Sequence, residues 1–279
     1  MAHVIDGKEI ALKTRLKLKE ELNKYGKTIT LAVILVGDDP ASKIYVKNKR
    51  KACEEVGIIS KEYILPNNIK EKDLLNLIDE LNKLDEINGI LVQLPLPLHI
   101  NEKKIIERIS PLKDVDCFCE LNLGKLLNKN YNFLPCTPAG ILELLYYENI
   151  AIKGKHCVIL GRSNIVGKPM AILMINNDAT VTVCHSKTKN LKEVCKMAYI
   201  LIVAVGKPKF LKSDMVKTGA VVIDVGINRD DKGKICGDVD FENVKNKASY
   251  ITPVPGGVGP MTVTKLINNV ILAAINQNN

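Results

Sequence analysis

Apolar and polar positions along this chain switch between two rhythms, short unbroken apolar runs and longer stretches with helical spacing. Leu31 to Val36 is a continuous apolar run, as expected of a strand covered on both faces. Before it, Asp6 can cap a helix that runs to about Tyr25, where Gly26 ends it. After it, Asp39-Pro40 supplies a cap and a first-turn proline for a helix ending near Gly57. A strand around Glu62 to Leu65, a helix from about Glu71 to Leu84 and a strand from Gly89 to Leu94 follow, and Pro95 and Pro97 break the chain. Residues 111–137 lack clear periodicity and read as a linker with local structure. Thr137-Pro138 starts a helix carrying Ile141, Leu144 and Leu145.

A second alternating set begins at Lys155. Its strands are His156–Leu160, Thr180–Cys184, Tyr199–Val205 and Ala220–Val225, with helices beginning near Val166, Asn190 and Ser213. An amphipathic helix closes the pattern from about Pro260 to Ile275. Strand and helix in alternation predict parallel βαβ units.

Length and composition narrow the class. The 279 residues allow one large α/β unit or two domains of about 120–150 residues. Hydrophobic residues at 46% and charged residues at 25% supply an ample core. The net charge of +9 is dispersed along amphipathic stretches, and aromatics are only 4% with no Trp, so a base-stacking platform is poorly supplied and no nucleic-acid partner is expected. The eight cysteines form no CxxC pair and no zinc-spaced cluster, and several sit in apolar runs, as buried thiols of a reducing compartment would. The N-terminal residues show no basic and apolar leader. No apolar run reaches the roughly 18 residues that span a bilayer. A cytoplasmic protein without a membrane partner is expected.

Two places carry candidate chemistry. The strand His156–Leu160 runs into Gly161-Arg162-Ser163-Asn164-Ile165-Val166-Gly167, a glycine turn between strand and helix. Gly161 permits a tight turn, Gly167 permits close helix packing, and the helix start offers N–H groups to an anion. The spacing is one residue longer than G-x-G-x-x-G and Ser163 replaces the middle glycine, so the glycines alone leave a plain α/β turn and a cofactor site both open. The next strand ends in Cys184-His185-Ser186-Lys187-Thr188, without the carboxylate that grips an NAD ribose. A hydroxyl and a cation there, with Arg162 in the turn, suit the 2′-phosphate of NADP.

The second place is the helix after Pro40. At roughly 100° per residue, Tyr45, Lys49, Ala52, Cys53 and Val56 share one arc, with Lys43, Arg50, Lys51 and Glu54 opposite. Lys49 therefore points inward, which is costly unless it is paired or functional, although a lysine can also snorkel at the edge of an apolar face. Gln93 lies at the carboxyl end of a strand, where parallel sheets bind ligands. Asp114-Val115-Asp116 lies in the aperiodic stretch, where an aspartate can also cap a turn. Pro255-Gly256-Gly257-Val258-Gly259-Pro260 is rich in permissive backbone, which suits close approach to a ligand.

Together these segments resemble the methylenetetrahydrofolate dehydrogenase/cyclohydrolase family. Tyr45-Val46-Lys47-Asn48-Lys49, Val92-Gln93-Leu94-Pro95-Leu96-Pro97, Asp114-Val115-Asp116, Gly161-Arg162-Ser163, Val166-Gly167-Lys168-Pro169, His185-Ser186-Lys187-Thr188 and Pro255 to Thr262 occur in that family's order. The resemblance implies two α/β domains with a folate cleft between them, an N-terminal catalytic domain and a Rossmann-like NADP-binding domain, in a homodimer formed through the latter. It implies domains at 1–136, completed by a terminal helix at 260–279, and at 137–259. It implies Lys49 as the catalytic lysine, with Tyr45, Gln93 and Asp116 beside it. A tetrahydrofolate derivative would contact Tyr45, Val92, Gln93, Leu94 and Asp116 together with Pro255, Gly256, Gly257 and Val258. NADP would contact Gly161, Arg162, Ser163, Ser186 and Ile227. No metal is implied.

The reaction would be oxidation of 5,10-methylenetetrahydrofolate to the methenyl cation, then hydrolysis to 10-formyltetrahydrofolate. Relatives usually carry glycine after Asp-Val-Asp, where this chain has Cys117. A side chain there could alter the loop backbone or narrow the pocket. The alternatives are a monofunctional, NAD-dependent dehydrogenase of the same family and a nucleotide-binding regulatory protein without catalysis. The intact Lys49 and the absent carboxylate argue against the first, and an inward lysine beside Tyr45 has no purpose in the second.

Overall fold

The computed structural model describes residues 1–277. Its strands are β1 (His3–Val4), β2 (Thr30–Val36), β3 (Ile59–Leu65), β4 (Gly89–Val92), β5 (His156–Leu160), β6 (Thr180–Cys184), β7 (Ile200–Val203), β8 (Val221–Asp224), β9 (Asn228–Arg229), β10 (Ile235–Cys236) and β11 (Tyr250–Ile251). Its α-helices are α1 (Gly7–Tyr25), α2 (Pro40–Val56), α3 (Glu71–Lys83), α4 (Glu102–Arg108), α5 (Glu120–Leu127), α6 (Cys136–Tyr147), α7 (Gly167–Asn176), α8 (Leu191–Lys196), α9 (Phe241–Val244) and α10 (Val258–Gln277). The chain divides into two compact units, Lys13–Cys136 with Val263–Asn279, and Met1–Leu12 with Thr137–Thr262.

The unit that holds α2 is built on a parallel sheet of order β3-β2-β4. All seven residues of β2 are buried, and they serve two cores by alternation. Leu31, Val33 and Leu35 pack with Leu18 and Leu22 of α1, with Val46, Cys53 and Val56 of α2, and with Leu266, Ile267, Val270 and Ile271 of α10. Ala32, Ile34 and Val36 pack on the other face with Leu74, Ile78 and Leu81 of α3 and Ile105 of α4. Local signals fix the helix that matters most. Asp39 accepts from the Ser42 amide at 2.7 Å, Pro40 opens α2, and Gly57 ends it at a left-handed φ of 102°. Beside β4 the chain is pinned by Lys113, a buried lysine whose Nζ donates to the carbonyls of Leu81 (3.2 Å), Asn82 (2.9 Å) and Leu84 (2.8 Å) around the end of α3. Its own carbonyl accepts from the Ile90 amide at 2.8 Å, which delivers Asp114-Val115-Asp116 to the sheet edge.

The other unit has a six-stranded parallel sheet of order β1-β11-β8-β7-β5-β6. The register sets Leu160, Cys184, Val203 and Asp224 in one row, so the segments after β5, β6, β7 and β8 leave from a common edge. β5 is followed in sequence by β6 on one side and neighbours β7 on the other, which makes this edge a topological switch point. Two buried carboxylates organise the edge. Asp238 accepts from the amides of Val205 (2.6 Å), Gly206 (2.9 Å) and Lys207 (2.9 Å) and from Asn228 (2.8 Å). Asp224 accepts from the amides of Gly226 (3.0 Å), Asp238 (2.9 Å) and Val239 (2.9 Å).

Three expectations change. Met1–Leu12 belong with Thr137–Thr262 rather than with a 1–136 domain, because β1 pairs in parallel with β11, His3 to Tyr250 and Val4 to Ile251. A strand of two residues is too short to show alternation. The helix expected from Ser213 is a single 3-10 turn, Ser213–Met215. The terminal helix begins at Val258, and residues 278–279 of the expected segment lie outside the described residues.

Burial pushes the Asp224 carboxyl up to about 6, against three amide donors and with Asp238 adding to the rise. The folded state therefore holds this proton more tightly than the unfolded chain, whose carboxyl titrates near the ordinary 3.8. The stability this contributes is full below about pH 4 and lost as pH rises through about 6. Compared with Asp224→Asn in urea unfolding, the parent should lose roughly 2–3 kcal/mol between pH 4 and pH 7. A pH-independent difference between the two proteins would show that the amide donors keep Asp224 charged throughout.

Candidate active site

α2 presents its arc as the spacing predicts. Ala52, Cys53 and Val56 are buried, Lys43, Arg50, Lys51 and Glu54 are exposed, and Lys49 is half-buried between them. Lys49 Nζ donates to Gln93 Oε1 at 3.0 Å. Gln93 follows β4 directly, and its backbone amide still donates to Ile34 at 2.9 Å, so the side chain starts from a sheet-fixed position. Its Nε2 donates to the Leu94 carbonyl at 2.7 Å, which turns the amide oxygen toward the lysine. Val92 is buried at the end of β4, Leu94 is half-buried, and the Leu94–Pro95 bond is cis. Tyr45 sits one turn before Lys49 and remains 37% exposed, with burial of the rest of its ring pushing the phenol up.

The two aspartates separate into different jobs. Asp114 is buried and accepts from the amides of Phe118 (3.2 Å) and Cys119 (3.0 Å) and from Asn122 (2.9 Å), so it shapes the turn. Asp116 is half-buried, and burial pushes its carboxyl up. The Lys49 charge opposes that rise, the Asp114 carboxylate adds to it, and the neighbouring Cys136 thiol opposes it. Lys49, Gln93, Asp116 and Cys136 thus form one polar group inside a single unit. Cys117 takes a left-handed φ of 61°, a conformation that favours glycine and costs another residue about 1–2 kcal/mol. Its fully buried Sγ donates to the Phe133 carbonyl at 3.7 Å.

The second group of residues lies along the carboxyl edge of the six-stranded sheet. Gly161 has a φ of 118°, and a Cβ there would stand 2.1 Å from the Ala204 carbonyl oxygen. A Cβ on Gly167 would stand 2.3 Å from the Gly161 carbonyl oxygen. The turn therefore brings α7 against β5 with no room for side chains. Ser163 Oγ accepts from the amides of Val166 (3.2 Å) and Gly167 (3.3 Å), so this serine occupies part of the helix start itself. Arg162 and Ser163 are exposed. After β6, the His185 amide donates to Thr188 Oγ1 at 2.8 Å and the Lys187 amide to His185 Nδ1 at 3.2 Å, which leaves Ser186 at an exposed tip. Ile227 is exposed just past β8.

The glycine-rich segment reads differently in three dimensions. A Cβ on Gly7 would stand 1.9 Å from the Gly257 carbonyl oxygen, and the Lys8 amide donates to Gly256 at 3.1 Å. A Cβ on Gly257 would stand 2.6 Å from the Pro253 carbonyl oxygen. Close packing of the chain on itself already requires Gly257. Gly256 has a φ of 108° and little around it, Pro255 is exposed after a cis Val254–Pro255 bond, and Val258 is buried. Sequence reasoning missed Gly7, Cys136, Asp238 and Asn269. Only Asn269 left a trace, as a polar residue among the apolar positions Leu266, Ile267, Val270 and Ile271.

Comparison with known proteins finds two family domains in sequence, whose bounds differ from the compact units at both ends of the chain. Residues 5–116 match the model of the tetrahydrofolate dehydrogenase/cyclohydrolase catalytic domain, and residues 135–278 match that of the NAD(P)-binding domain. The bifunctional protein FolD of Bacillus cytotoxicus is 60% identical over 277 residues, covering 98% of this chain and 97% of its own. The crystal structure of the bifunctional FolD enzyme of Campylobacter jejuni superposes with a TM-score of 0.96 at 52% identity, covering 99% of both chains. The Trypanosoma brucei dehydrogenase-cyclohydrolase, complexed with NADP cofactor and inhibitor, gives a TM-score of 0.94 at 37% identity over 100% of this chain and 99% of its own. With both domain models matched in order and relatives this similar along nearly the whole length, the chain belongs to the tetrahydrofolate dehydrogenase/cyclohydrolase family.

Proposed function

We propose that Lys49, Tyr45, Gln93 and Asp116 are the working residues of a bifunctional enzyme of one-carbon metabolism. The chain oxidises 5,10-methylenetetrahydrofolate with NADP and hydrolyses the resulting methenyl cation to 10-formyltetrahydrofolate. The observation that carries the assignment of residues is the 3.0 Å bond from Lys49 to a sheet-fixed Gln93 in the same unit as Asp116.

The chemistry follows from these groups. Asp116, half-buried in the same unit, pairs with polar N–H groups of the pterin, and Tyr45 lies along the substrate's flat body. Val92 and Leu94, at the end of β4, line the folate. Hydrolysis of the methenyl cation needs a group that moves protons between the attacking water and the ring nitrogen. Lys49 is such a group, and Gln93 holds its amine in place.

The second unit fits NADP. The side-chain-free contact of Gly161 and Gly167 admits a backbone close to a pyrophosphate. Arg162 and Ser186 are exposed where a 2′-phosphate would sit, no carboxylate occurs from His185 to Thr188, and Ser163 and Ile227 complete the contacts. Bound there, the nicotinamide supplies the hydride acceptor. The chain's own contribution is orientation. A monofunctional NAD-dependent enzyme is the less favoured reading for the same two reasons, the missing carboxylate and the intact Lys49.

The partner is a folate derivative. We further propose a homodimer formed through the cofactor unit, where β6 is an edge strand with Val183 exposed and Ile175 exposed on α7. Neither nucleic acid nor membrane is a proposed partner, and the proposed compartment is the cytoplasm. Among the described residues one helix, α10, is long and apolar enough to cross a bilayer. Its Leu266, Ile267, Val270 and Ile271 are core residues, so burial explains that composition.

NADP should give a higher kcat/KM than NAD, and alanine at Arg162 and Ser186 should shrink the preference by roughly ten- to a hundredfold per phosphate contact. Equal use of both cofactors by the parent enzyme would defeat the assignment. Lys49→Met keeps length and apolar contact but removes the amine. Methenyltetrahydrofolate hydrolysis should fall by about 10²–10⁴-fold while dehydrogenase turnover survives in reduced form. The methenyl intermediate should then accumulate in an assay that also follows reduced nicotinamide. Hydrolysis at the parental rate would return Lys49 to the class of partly buried surface lysines.

A further inference from the structure

Asn269 lies on α10, is 2% exposed, and uses both amide hydrogens. Its Nδ2 donates to the carbonyls of Val115 and Leu134, each at 2.8 Å, and stands 3.6 Å from Cys136 Sγ. These acceptors belong to the two segments that form the Asp116 environment. The Val115 carbonyl is one end of the peptide plane whose other end is the Asp116 amide, so fixing that oxygen fixes the plane from which Asp116 departs. Cys136 Sγ also donates its single thiol hydrogen to the Val115 carbonyl, at 3.4 Å, next to Asp116. Leu134 lies two residues before Cys136. One amide thus holds the peptide from which Asp116 departs and also the segment that leads into Cys136, whose thiol closes on the same carbonyl.

We infer that Asn269 is a positioning residue for folate binding, a helix-borne amide that sets the direction of Asp116 without touching the substrate. The inference rests on the proposed role of Asp116. Asn269 is itself anchored, because its helical neighbours Leu266, Ile267, Val270 and Ile271 are core residues and Gln277 further along donates to Asn88 (2.8 Å) and Leu112 (3.0 Å). An asparagine with only a structural task would lower stability when replaced. A positioning residue also changes how tightly the substrate is held.

The test compares Asn269→Leu, which keeps the volume and loses the amide, with Asn269→Ser, which keeps one donor. For Asn269→Leu the KM for methylenetetrahydrofolate should rise about tenfold, the effect of one well-made buried hydrogen bond, with the KM for NADP unchanged. Asn269→Ser should fall between it and the parent, and it decides the matter if the leucine variant does not fold. Asp116→Ala should raise the same KM, and adding Asn269→Leu to it should raise it little further, since the two changes act through one group. If Asp116→Ala raises KM while both Asn269 variants only lower the melting temperature, Asn269 is structural and the site reading stands. If Asp116→Ala leaves KM unchanged, the site reading itself fails.

Discussion

A parallel strand covered on both faces has no surface to offer a ligand, and this constraint orders the whole molecule. β2 is buried along its full length between two apolar layers, and β5, β7 and β8 are almost as enclosed. The residues proposed for the two sites accordingly stand where strands end. Gln93 follows β4, Gly161 follows β5, Ser186 follows β6 and Ile227 follows β8. Lys49 is the exception in origin, since it comes from a helix, and it reaches the same place by pairing with Gln93.

Regions that leave the sheet cannot rely on strand hydrogen bonds, so buried polar side chains take over. Lys113 collects three carbonyls at the end of α3, Asp238 collects three amides after β7, and Asn269 joins two carbonyls near Asp116. Each replaces a stretch of ladder with one multivalent group, and each leaves an unsatisfied cluster if truncated.

The same contrast explains what could be read from the sequence. Lys49 was visible because helical spacing places it on an arc with Ala52, Cys53 and Val56. The caps at Asp6 and Asp39 were visible because their donors lie three residues on. Asp238 was not, because its partners are about thirty residues distant and no period links them. Asn269 bonds across more than a hundred residues. The glycines at 256 and 257 suggested room for a ligand, yet Gly257 answers to Gly7 and Pro253 of the same chain. The cysteine at position 117 could be recognised as a departure from glycine, but its left-handed backbone and its bond to Phe133 depend on a residue sixteen positions away and leave no local signal.

The division into units has a consequence for how the protein is made. Residues 263–277 of α10 supply core side chains to the unit that begins at Lys13, whereas the unit holding β5 to β11 needs nothing beyond Thr262. During synthesis from the N-terminus the cofactor unit therefore has all its parts first. The unit that carries Lys49 must wait, with one side of its sheet uncovered, until α10 emerges. Most of that unit's chain precedes β5, yet it is the last to be completed, and a released chain truncated after Thr262 would keep every segment of the cofactor unit and leave the other with an open half-core.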